Sequence, residues 1–257
     1  MARRRFFVEA LEGDRAILTG RGAEHLRRVL RAEPGRVFEV TDGNSAFLAE
    51  IASLEKGRVM FHLLEPVEAV ELPVKLILLA SLIKFDRFEW MVEKATELGV
   101  SQIVPVEAAR SERGLRLAAE KRLERWRRIA VESSQQARRL RAPEIQPVLS
   151  FKQAAAAGGG LRLLLNEERG CPPLIMKLQD SCKGWSGNSM VVMSGPEGGW
   201  TESERELADA AGWSPVSLGP HILRAETAAI AALAVASAWA SALPPAARDA
   251  PGGYAGV

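Results

Sequence analysis

The stretch that decides the fold is Met190–Gly199, with the sequence MVVMSGPEGG. Its apolar, β-branched first half predicts a buried strand of a parallel sheet. The glycines that follow allow the chain to turn sharply and let the backbone approach a ligand closely. In open α/β sheets, ligands bind outside the carboxyl ends of the strands, so this loop is a candidate binding site.

A second segment, Leu218–Ala229 (LGPHILRAETAA), shows the same arrangement. The short apolar strand Pro215–Leu218 stops at Gly219 and Pro220, and an alanine-rich helix follows from about Ala225. A simple tight turn would account for Gly195–Gly199 alone. Two glycine loops at the ends of neighbouring strands instead favour a ligand site, and we place the active site there.

The segments before these loops alternate between strand and helix patterns, which predicts a parallel sheet covered on both faces. The predicted strands are Leu76–Ala80, Gln102–Val106 and Leu161–Leu165. The predicted helices are Phe85–Leu98, a helix or helix pair over Arg116–Leu140, Leu174–Asp180, Thr201–Ala211 and Ala225–Ala240. Thr201 and Glu204 have the spacing of a capping box at the start of their helix.

Residues 1–70 lack this alternation. Several short strands surround one helical stretch, Gly22–Leu30, which predicts a small β-barrel. Barrels of this size often present a basic face to RNA. We therefore expect a barrel domain over 1–70, an α/β domain over 73–243, and a disordered tail over 244–257, where Pro, Gly and Ala leave little to bury.

Composition narrows the class of protein. Hydrophobic residues make up 47% and charged residues 26%, as in ordinary globular proteins. The longest apolar candidate, Ala228–Ala240, is too short to span a bilayer, so no membrane partner is expected. The start of the chain, MARRRFF, lacks the apolar stretch of a secretory signal. Two cysteines do not make a disulfide framework, and a cytoplasmic location is expected.

Arginine is unevenly distributed. The net charge is only +2, but just eight of the 34 basic residues are lysine. A GC-rich genome would account for that ratio, although not for the clustering of arginines along the chain. Because the planar guanidinium donates in pairs to phosphate, we expect RNA to be bound by Arg3, Arg4, Arg5, Arg27, Arg28, Arg31, Arg139 and Arg141.

Several kinds of site find no support. The glycine loops lack the lysine of a nucleotide-hydrolysing loop, and no Gly-x-Gly-x-x-Gly fingerprint follows any strand. No Gly-x-Ser-x-Gly elbow is present. His25, His62 and His221 are far apart and fit surface or structural roles, and no set of residues has metal-ligand spacing. The glycine loops retain few charged side chains: Glu197, Arg224 and Glu226.

The two loops, as Ser194–Trp200 and Leu218–Ala228, resemble the signature loops of the RsmE family. These SPOUT-class enzymes methylate N3 of a uridine in 16S ribosomal RNA. Trp90–Val100 looks like the first helix of the family's catalytic domain, and the resemblance covers about residues 3 to 240. The chain departs from the family's usual pattern at Gln135, Arg138, Asn166–Glu167 and Ala225.

The resemblance implies an N-terminal PUA-like β-barrel and a C-terminal SPOUT α/β domain with a deep trefoil knot, contrary to the general rule that chains are unknotted. It implies S-adenosylmethionine as cofactor, 16S ribosomal RNA of the small subunit as substrate, and a homodimer. A homodimer would also account for the last helix, which is apolar nearly all round. The cofactor-binding residues that it implies are Leu165, Asn166, Glu167, Gly195, Pro196, Glu197, Gly198, Gly199, Leu218, Gly219, Ile222, Leu223, Arg224, Thr227 and Ala228.

Two side chains are the catalytic candidates. Uracil N3 carries a proton, so a base that accepts it or a cation that stabilises the resulting anion would assist transfer. Arg224 is the candidate cation and Glu226 the candidate base. Alternatively, Arg224 and Glu226 pair with each other and cap the last helix.

Two other functions remain open. A non-catalytic ribosome-assembly factor could bind RNA through the barrel and the arginine-rich helix, but it would not need two glycine loops. A small-molecule α/β enzyme would leave the basic barrel unexplained.

Overall fold

The structure is a computed structural model that describes residues 4–157, 159–168, 170–181 and 187–243. Arg3 and the predicted tail 244–257 lie outside these ranges. The described residues form two compact units. One contains residues 4–71 and Val131–Ala142, and the other contains Leu72–Ala130 and the described residues of 143–243. Residues 131–142 thus pack within the first unit, whereas the sequence-based bounds of 1–70 and 73–243, which stay a prediction, assign them to the second.

The first unit is a curled, six-stranded sheet with the order β1-β4-β5-β6-β3-β2. Its strands are β1 (Arg5–Phe7), β2 (Ala10–Glu12), β3 (Arg15–Thr19), β4 (Val37–Thr41), β5 (Ala46–Glu55) and β6 (Arg58–Pro66). The chain bends between β1 and β2, where Val8 N–H donates to Thr41 O and Glu9 N–H donates to Ile17 O, at 2.8 and 3.1 Å. One continuous segment therefore pairs with both ends of the sheet, which curls it around its core. This agrees with the predicted small barrel.

Helix α1 (Gly20–Glu24) and one turn of π-helix (His25–Val29) correspond to the predicted helix Gly22–Leu30. Leu26 is buried in the core of the unit. The chain then leaves the helical turn through Arg31, whose φ of 45° is left-handed. The neighbouring side chains Arg27 and Arg28 stay half-buried and exposed, respectively.

The second unit is a seven-stranded parallel sheet with the order β10-β8-β7-β12-β11-β13, and β9 pairs with β8. Its strands are β7 (Lys75–Ser81), β8 (Gln102–Glu107), β9 (Glu144–Ile145), β10 (Leu149–Ser150), β11 (Leu161–Leu165), β12 (Ser189–Ser194) and β13 (Ser214–Val216). Its helices are α2 (Phe85–Glu97), α3 (Leu115–Glu120), α4 (Leu123–Gln136), which runs into the first unit at Val131, α5 (Phe151–Ala156), α6 (Leu174–Ser181), α7 (Glu202–Ala210) and α8 (Ala225–Ser241).

Both faces of this sheet are covered, as predicted. Leu76 and Leu78 of β7 face a cluster that includes residues of α2, α4 and α8. The intervening Ile77 and Leu79 face a second cluster, to which α5 and α7 contribute. This alternation is the side-chain period of a strand between two packed layers.

The long predicted helix over Arg116–Leu140 is the pair α3 and α4. Strands β9 and β10 have two residues each and α5 has six, so none of them has room for a recognisable period. The predicted strand Pro215–Leu218 corresponds to β13 over Ser214–Val216, after which Ser217 forms an isolated bridge with Pro173. No described helix combines the length and apolar character that crossing a membrane requires.

Candidate active site

The first glycine loop, Gly195–Gly199, follows the fully buried strand β12. Gly199 has a φ of 67°, in the left-handed region that favours glycine. A Cβ atom at Gly199 would also collide with the carboxylate of Glu167. The backbone conformation therefore favours glycine at this position, and the exposed Glu167 side chain, which would have to move to admit a methyl group, lies directly over the loop.

Buried Trp200 fixes the end of this loop. Its indole Nε1 donates to the carbonyl oxygen of Leu165 at 2.8 Å. Two guanidinium groups also donate to loop carbonyls: Arg110 to Gly198 O at 2.8 Å, and Arg205 to Trp200 O at 2.9 Å. The loop after β12 is thereby joined to the end of β11.

The predicted capping box at the start of α7 is present. The side chain of Thr201 accepts from Glu204 N–H, and the Glu204 carboxylate accepts from Thr201 N–H. The second oxygen of Glu204, which is buried, accepts from Ala109 N–H at 2.7 Å. A helix start that immediately follows the first glycine loop is thus rigidly held.

The second glycine loop, Leu218–Arg224, leads from β13 to α8. Gly219 has a φ of 121°, and Arg224 is the last non-helical residue before α8. At the helix start, Ser194 Oγ donates to Ala225 O at 3.4 Å, which connects the end of β12 to the beginning of α8. The two glycine loops therefore meet at the carboxyl ends of the strands.

A cavity of about 330 Å³ opens between the loops. Thirteen of the fifteen predicted cofactor-binding residues line it: Leu165, Asn166, Glu167, Gly195, Pro196, Glu197, Gly199, Leu218, Gly219, Ile222, Leu223, Arg224 and Ala228. Gly198 does not, because its Cα faces the Arg110 side chain, where a Cβ would lie 3.1 Å from Arg110 Cβ. Thr227 does not line it either. Three further lining residues, Ser194, Pro220 and His221, and also Ala225, lie within the two motifs without having been named singly as cofactor-binding residues. Sequence reasoning missed Val216, which lies just before the second motif.

The two catalytic candidates have different surroundings. Arg224 lines the cavity and is exposed, and none of the described residues makes a hydrogen bond or ion pair with its side chain. Glu226 is only 6% exposed and does not line the cavity. The structure therefore does not pair Arg224 with Glu226, which was the alternative role of these two residues.

Glu226 instead faces Arg87, which sequence reasoning missed. Arg87 Nε lies 3.8 Å from Glu226 Oε1, and Arg87 Nη1 lies 3.7 Å from Glu197 Oε1. The other carboxylate oxygen of Glu226, Oε2, is buried without a hydrogen-bond partner among the described residues. Arg87 lies in the first turn of α2, in a segment whose helical period gave no reason to connect it with the loops.

The third segment around the cavity is the end of β11. Asn166 is buried, and its N–H donates to Val216 O at 2.9 Å. Glu167 and Glu168, which follow, are exposed. Burial, with smaller contributions from Glu168 and Glu167, raises the pKa of the nearby Cys171 thiol. This thiol is thus protonated near neutral pH and is not poised as a nucleophile.

The predicted RNA-binding arginines that the structure describes lie in the first unit, and several of them are paired. Arg5 is 3% exposed, and its guanidinium lies 2.9 Å from the Glu39 carboxylate. A buried, paired guanidinium has no free face for phosphate, so the prediction that Arg5 binds RNA does not fit its surroundings. Arg27 and Arg28 both pair with Glu24, at 3.2 and 2.6 Å, but stay accessible.

The remaining members of that set differ in exposure. Arg31 and Arg141 are exposed, and Arg141 donates to Gly43 O and Asn44 Oδ1. Arg4 donates to His25 at 2.8 Å. Burial lowers the pKa of Arg139 to about 10, while Glu71 acts in the opposite direction. The exposed positions are those with guanidinium groups free to reach a phosphate.

Comparison with known proteins gives one consistent family. The sequence profile described as "RNA methyltransferase domain" matches residues 70–237, and the one described as "RNA methyltransferase PUA domain" matches residues 18–63. Ribosomal RNA small subunit methyltransferase E of Synechocystis is 38% identical over 84% of this chain and 71% of its own length. The enzyme of the same name from Bacillus subtilis is 31% identical over 91% of this chain and 95% of its own.

The fold is similar to a solved structure of the same kind. The crystal structure of ribosomal RNA small subunit methyltransferase E from Neisseria gonorrhoeae, bound to S-adenosylmethionine, has a TM-score of 0.81 and 31% identity. The match covers 92% of this chain and 98% of that chain.

Proposed function

The chain belongs to the ribosomal RNA small subunit methyltransferase E family, and we propose that it transfers a methyl group from S-adenosylmethionine to N3 of a uridine in 16S ribosomal RNA. Its activity is thus S-adenosylmethionine-dependent methylation of small-subunit ribosomal RNA. The observation that carries the proposal is the cavity of about 330 Å³ between the two glycine loops. A protein that only binds RNA would not need this cavity.

The residues around the cavity suit this cofactor. Backbone groups of the glycine loops can approach the ligand closely, since Gly199 and Gly219 present no side chain. Leu165, Leu218 and Ile222 offer apolar surface, and Asn166 and Glu167 offer polar groups. A few polar groups within a largely apolar lining are typical of cofactor sites. We assign the thirteen lining residues named above to cofactor binding, whereas Gly198 faces the Arg110 side chain and Thr227 is an exposed residue of α8.

When bound, S-adenosylmethionine supplies an electrophilic methyl group. The uracil N3 must lose its proton to become a nucleophile, so the protein has to favour the uracil anion. Arg224 is suited to this task, because it is an exposed cation at the cavity with no described partner. Its role is electrostatic stabilisation of charge that develops on the uracil.

Glu226 is less suited to accept that proton directly. It does not line the cavity, and its carboxylate faces Arg87. We therefore propose that Glu226 positions the start of α8 instead of acting as the base. N3 also lies on the pairing edge of the base, so the target uridine must be unpaired or turned out of its helix to reach the cavity.

The proposal includes a trefoil knot in the second unit. In support, β13 lies at the edge of the sheet beyond β11, yet the next helix, α8, packs against β12 and β7. The chain must therefore return past the end of β11 after the second glycine loop. A homodimer and a cytoplasmic location also belong to this proposal, and light scattering at micromolar concentration tests the first of these.

A labelled-methyl assay tests the function. Small subunits and free 16S ribosomal RNA, both from a strain that lacks the enzyme, are incubated with the protein and S-adenosylmethionine, and the nucleosides are then identified by mass spectrometry. We expect 3-methyluridine. Methylation of carbon 5 or of the ribose would contradict the proposed acceptor atom, and absence of transfer to either substrate would favour the non-catalytic assembly factor.

A further inference from the structure

The structure assigns Arg87 as a positioning residue. Through Glu197 and Glu226, it holds the first glycine loop in place relative to the start of α8, which follows the second glycine loop. This inference rests on the proposed function, because it concerns the geometry of the same cavity. Arg87 belongs to neither loop. It lies in the first turn of α2, and its guanidinium is within 4 Å of two carboxylates, that of Glu197 in the first glycine loop and that of Glu226 at the start of α8.

The two carboxylates belong to different elements of the structure. Glu197 is in the first glycine loop and lines the cavity. Glu226 is the second residue of α8, two positions after Arg224. A cation that attracts both therefore sets the position of the loop after β12 relative to the start of α8. The position of Arg224 follows from that of α8, because Arg224 is the residue from which the helix begins.

The attraction is Coulombic rather than a direct hydrogen bond, since the nitrogen–oxygen distances are 3.7 and 3.8 Å. It matters most at Glu226, whose side chain is 8% exposed compared with 42% for Glu197. Water screens a charge at Glu197 but can barely reach Glu226. Glu226 Oε2 has no described hydrogen-bond partner, so Arg87 is the described group that compensates this buried carboxylate.

Removal of Arg87 would leave the buried Glu226 carboxylate with only the amino-terminal end of α8 to offset its charge among the described groups. The start of α8 would then move so that Glu226 reaches water, and the second glycine loop would move with it. The first glycine loop would no longer be held to α2. The expected consequence is a distorted cavity rather than an unfolded protein, because the sheet and both core clusters do not depend on Arg87.

Calorimetric titration with S-adenosylmethionine and the unfolding temperature are measured for wild type, Arg87→Ala, Glu226→Gln and the double variant. We expect Arg87→Ala to weaken cofactor binding by about tenfold, which lies within the usual range of coupling between neighbouring charged groups. In the Glu226→Gln background, the same change should have a clearly smaller effect, because no buried charge remains to be compensated. Arg87→Lys should bind the cofactor more tightly than Arg87→Ala but less tightly than wild type. Lysine supplies the positive charge, but its single ammonium group cannot face both carboxylates as the guanidinium does.

The matched control is Arg116→Ala. Arg116 is similarly exposed, at 37% compared with 33% for Arg87, and it also lies between two carboxylates, Glu107 and Glu120, but away from the cavity. This variant should bind the cofactor like wild type. If Arg87→Ala is folded and also binds like wild type, or if its effect is the same in both backgrounds, the inference is overturned.

If Arg87→Ala does not fold, Arg87→Gln replaces it in the cycle. If Arg87→Gln also fails to fold, the double variant Arg87→Gln with Glu226→Gln decides the matter. A folded double variant supports the inference, and an unfolded one overturns it. Wild type that fails to bind S-adenosylmethionine would count against the proposed function alone. The coupling between Arg87 and Glu226 would then still be read from the unfolding temperatures.

Discussion

The indole nitrogen of Trp200 donates a 2.8 Å hydrogen bond to the carbonyl oxygen of Leu165, so the loop after β12 is tied to the end of β11 inside the protein. Both groups are buried. The bond joins two of the three segments that line the cavity, and the orientation of the first glycine loop depends on it.

Trp200→Phe removes this bond and leaves Leu165 O without its donor. We expect a loss of about 1–3 kcal/mol in the free energy of unfolding, together with weaker cofactor binding. Denaturant titration and calorimetry measure the two effects. Trp213→Phe is the matched control, because Trp213 is also buried and donates to Ala155 O at 3.0 Å, away from the cavity. It should lose similar stability but keep its affinity, and equal losses of affinity in both variants would contradict this explanation.

The glycines of the first loop should not be equivalent. Gly199→Ala places a methyl group against Glu167 and strains a backbone whose φ is 67°, so we expect cofactor affinity to fall strongly. Gly198→Ala meets only the Arg110 side chain, at 3.1 Å, and should have the smaller effect. Gly212→Ala controls for backbone strain, since its φ is 79° but no atom lies within 4 Å of its Cβ position. Calorimetric titration measures these affinities. A larger loss of cofactor affinity in Gly198→Ala than in Gly199→Ala would contradict the assignment of Gly199, and not Gly198, to the cavity lining.

Arg5 and the pair Arg27 and Arg28 should respond differently to substitution. Arg5→Ala leaves Glu39 buried with only the longer ion pair to Arg138, and should reduce stability by about 3–5 kcal/mol. Arg27→Ala with Arg28→Ala should keep the fold and weaken RNA binding. The salt dependence of binding should also flatten, by roughly 0.7 to 0.9 units for each phosphate that the variant no longer neutralises. Binding measured at two salt concentrations checks this, and wild-type affinity in the double variant would exclude this part of the barrel as the RNA-binding surface.

His25 should make stability depend on pH. Burial, and then the charge of Arg4, lower the pKa of this imidazole below 6.5, and only the opposing Glu132 raises it. As the pH falls below 6.5, the unfolded chain takes up a proton that folded His25 refuses, so this contribution to stability is present above 6.5 and lost on acidification. His25→Gln should flatten the change in unfolding free energy between pH 7.5 and the folded pKa. An unchanged slope would show that other groups cause it.

The sequence predicts those elements whose characteristic residue pattern is long enough to recognise within one continuous segment. In Met190–Gly199, a run of buried apolar residues is followed directly by glycines that allow a sharp turn. Both features can be read from adjacent residues, and together they predict a binding site where the structure has the cavity. The capping box of Thr201 and Glu204 was equally local. Strands of two residues carry no period, and β9 and β10 were missed for that reason.

Long-range pairings were beyond local signals. Arg5 stands among other basic residues in the sequence, yet its partner Glu39 is 34 positions away and makes it a buried structural residue. Arg87 is more than a hundred positions from both Glu197 and Glu226, and nothing in the pattern of α2 indicates that it faces them. Only the folded arrangement distinguishes these arginines from those on the surface.

Arg224 provides the most direct test of the chemistry. Its side chain is exposed and has no described partner, so Arg224→Ala should leave the fold intact and RNA binding near normal. If the guanidinium stabilises the uracil anion, methyl transfer under saturating substrates should slow by about a hundredfold, the scale observed when one stabilising donor is removed from an active site. Arg224→Lys keeps a positive charge and should recover part of the rate. Single-turnover kinetics separate this effect from binding, because a residue that only holds the cofactor would raise the KM for S-adenosylmethionine and leave the saturated rate unchanged. That second pattern would leave Arg224 with cofactor binding alone.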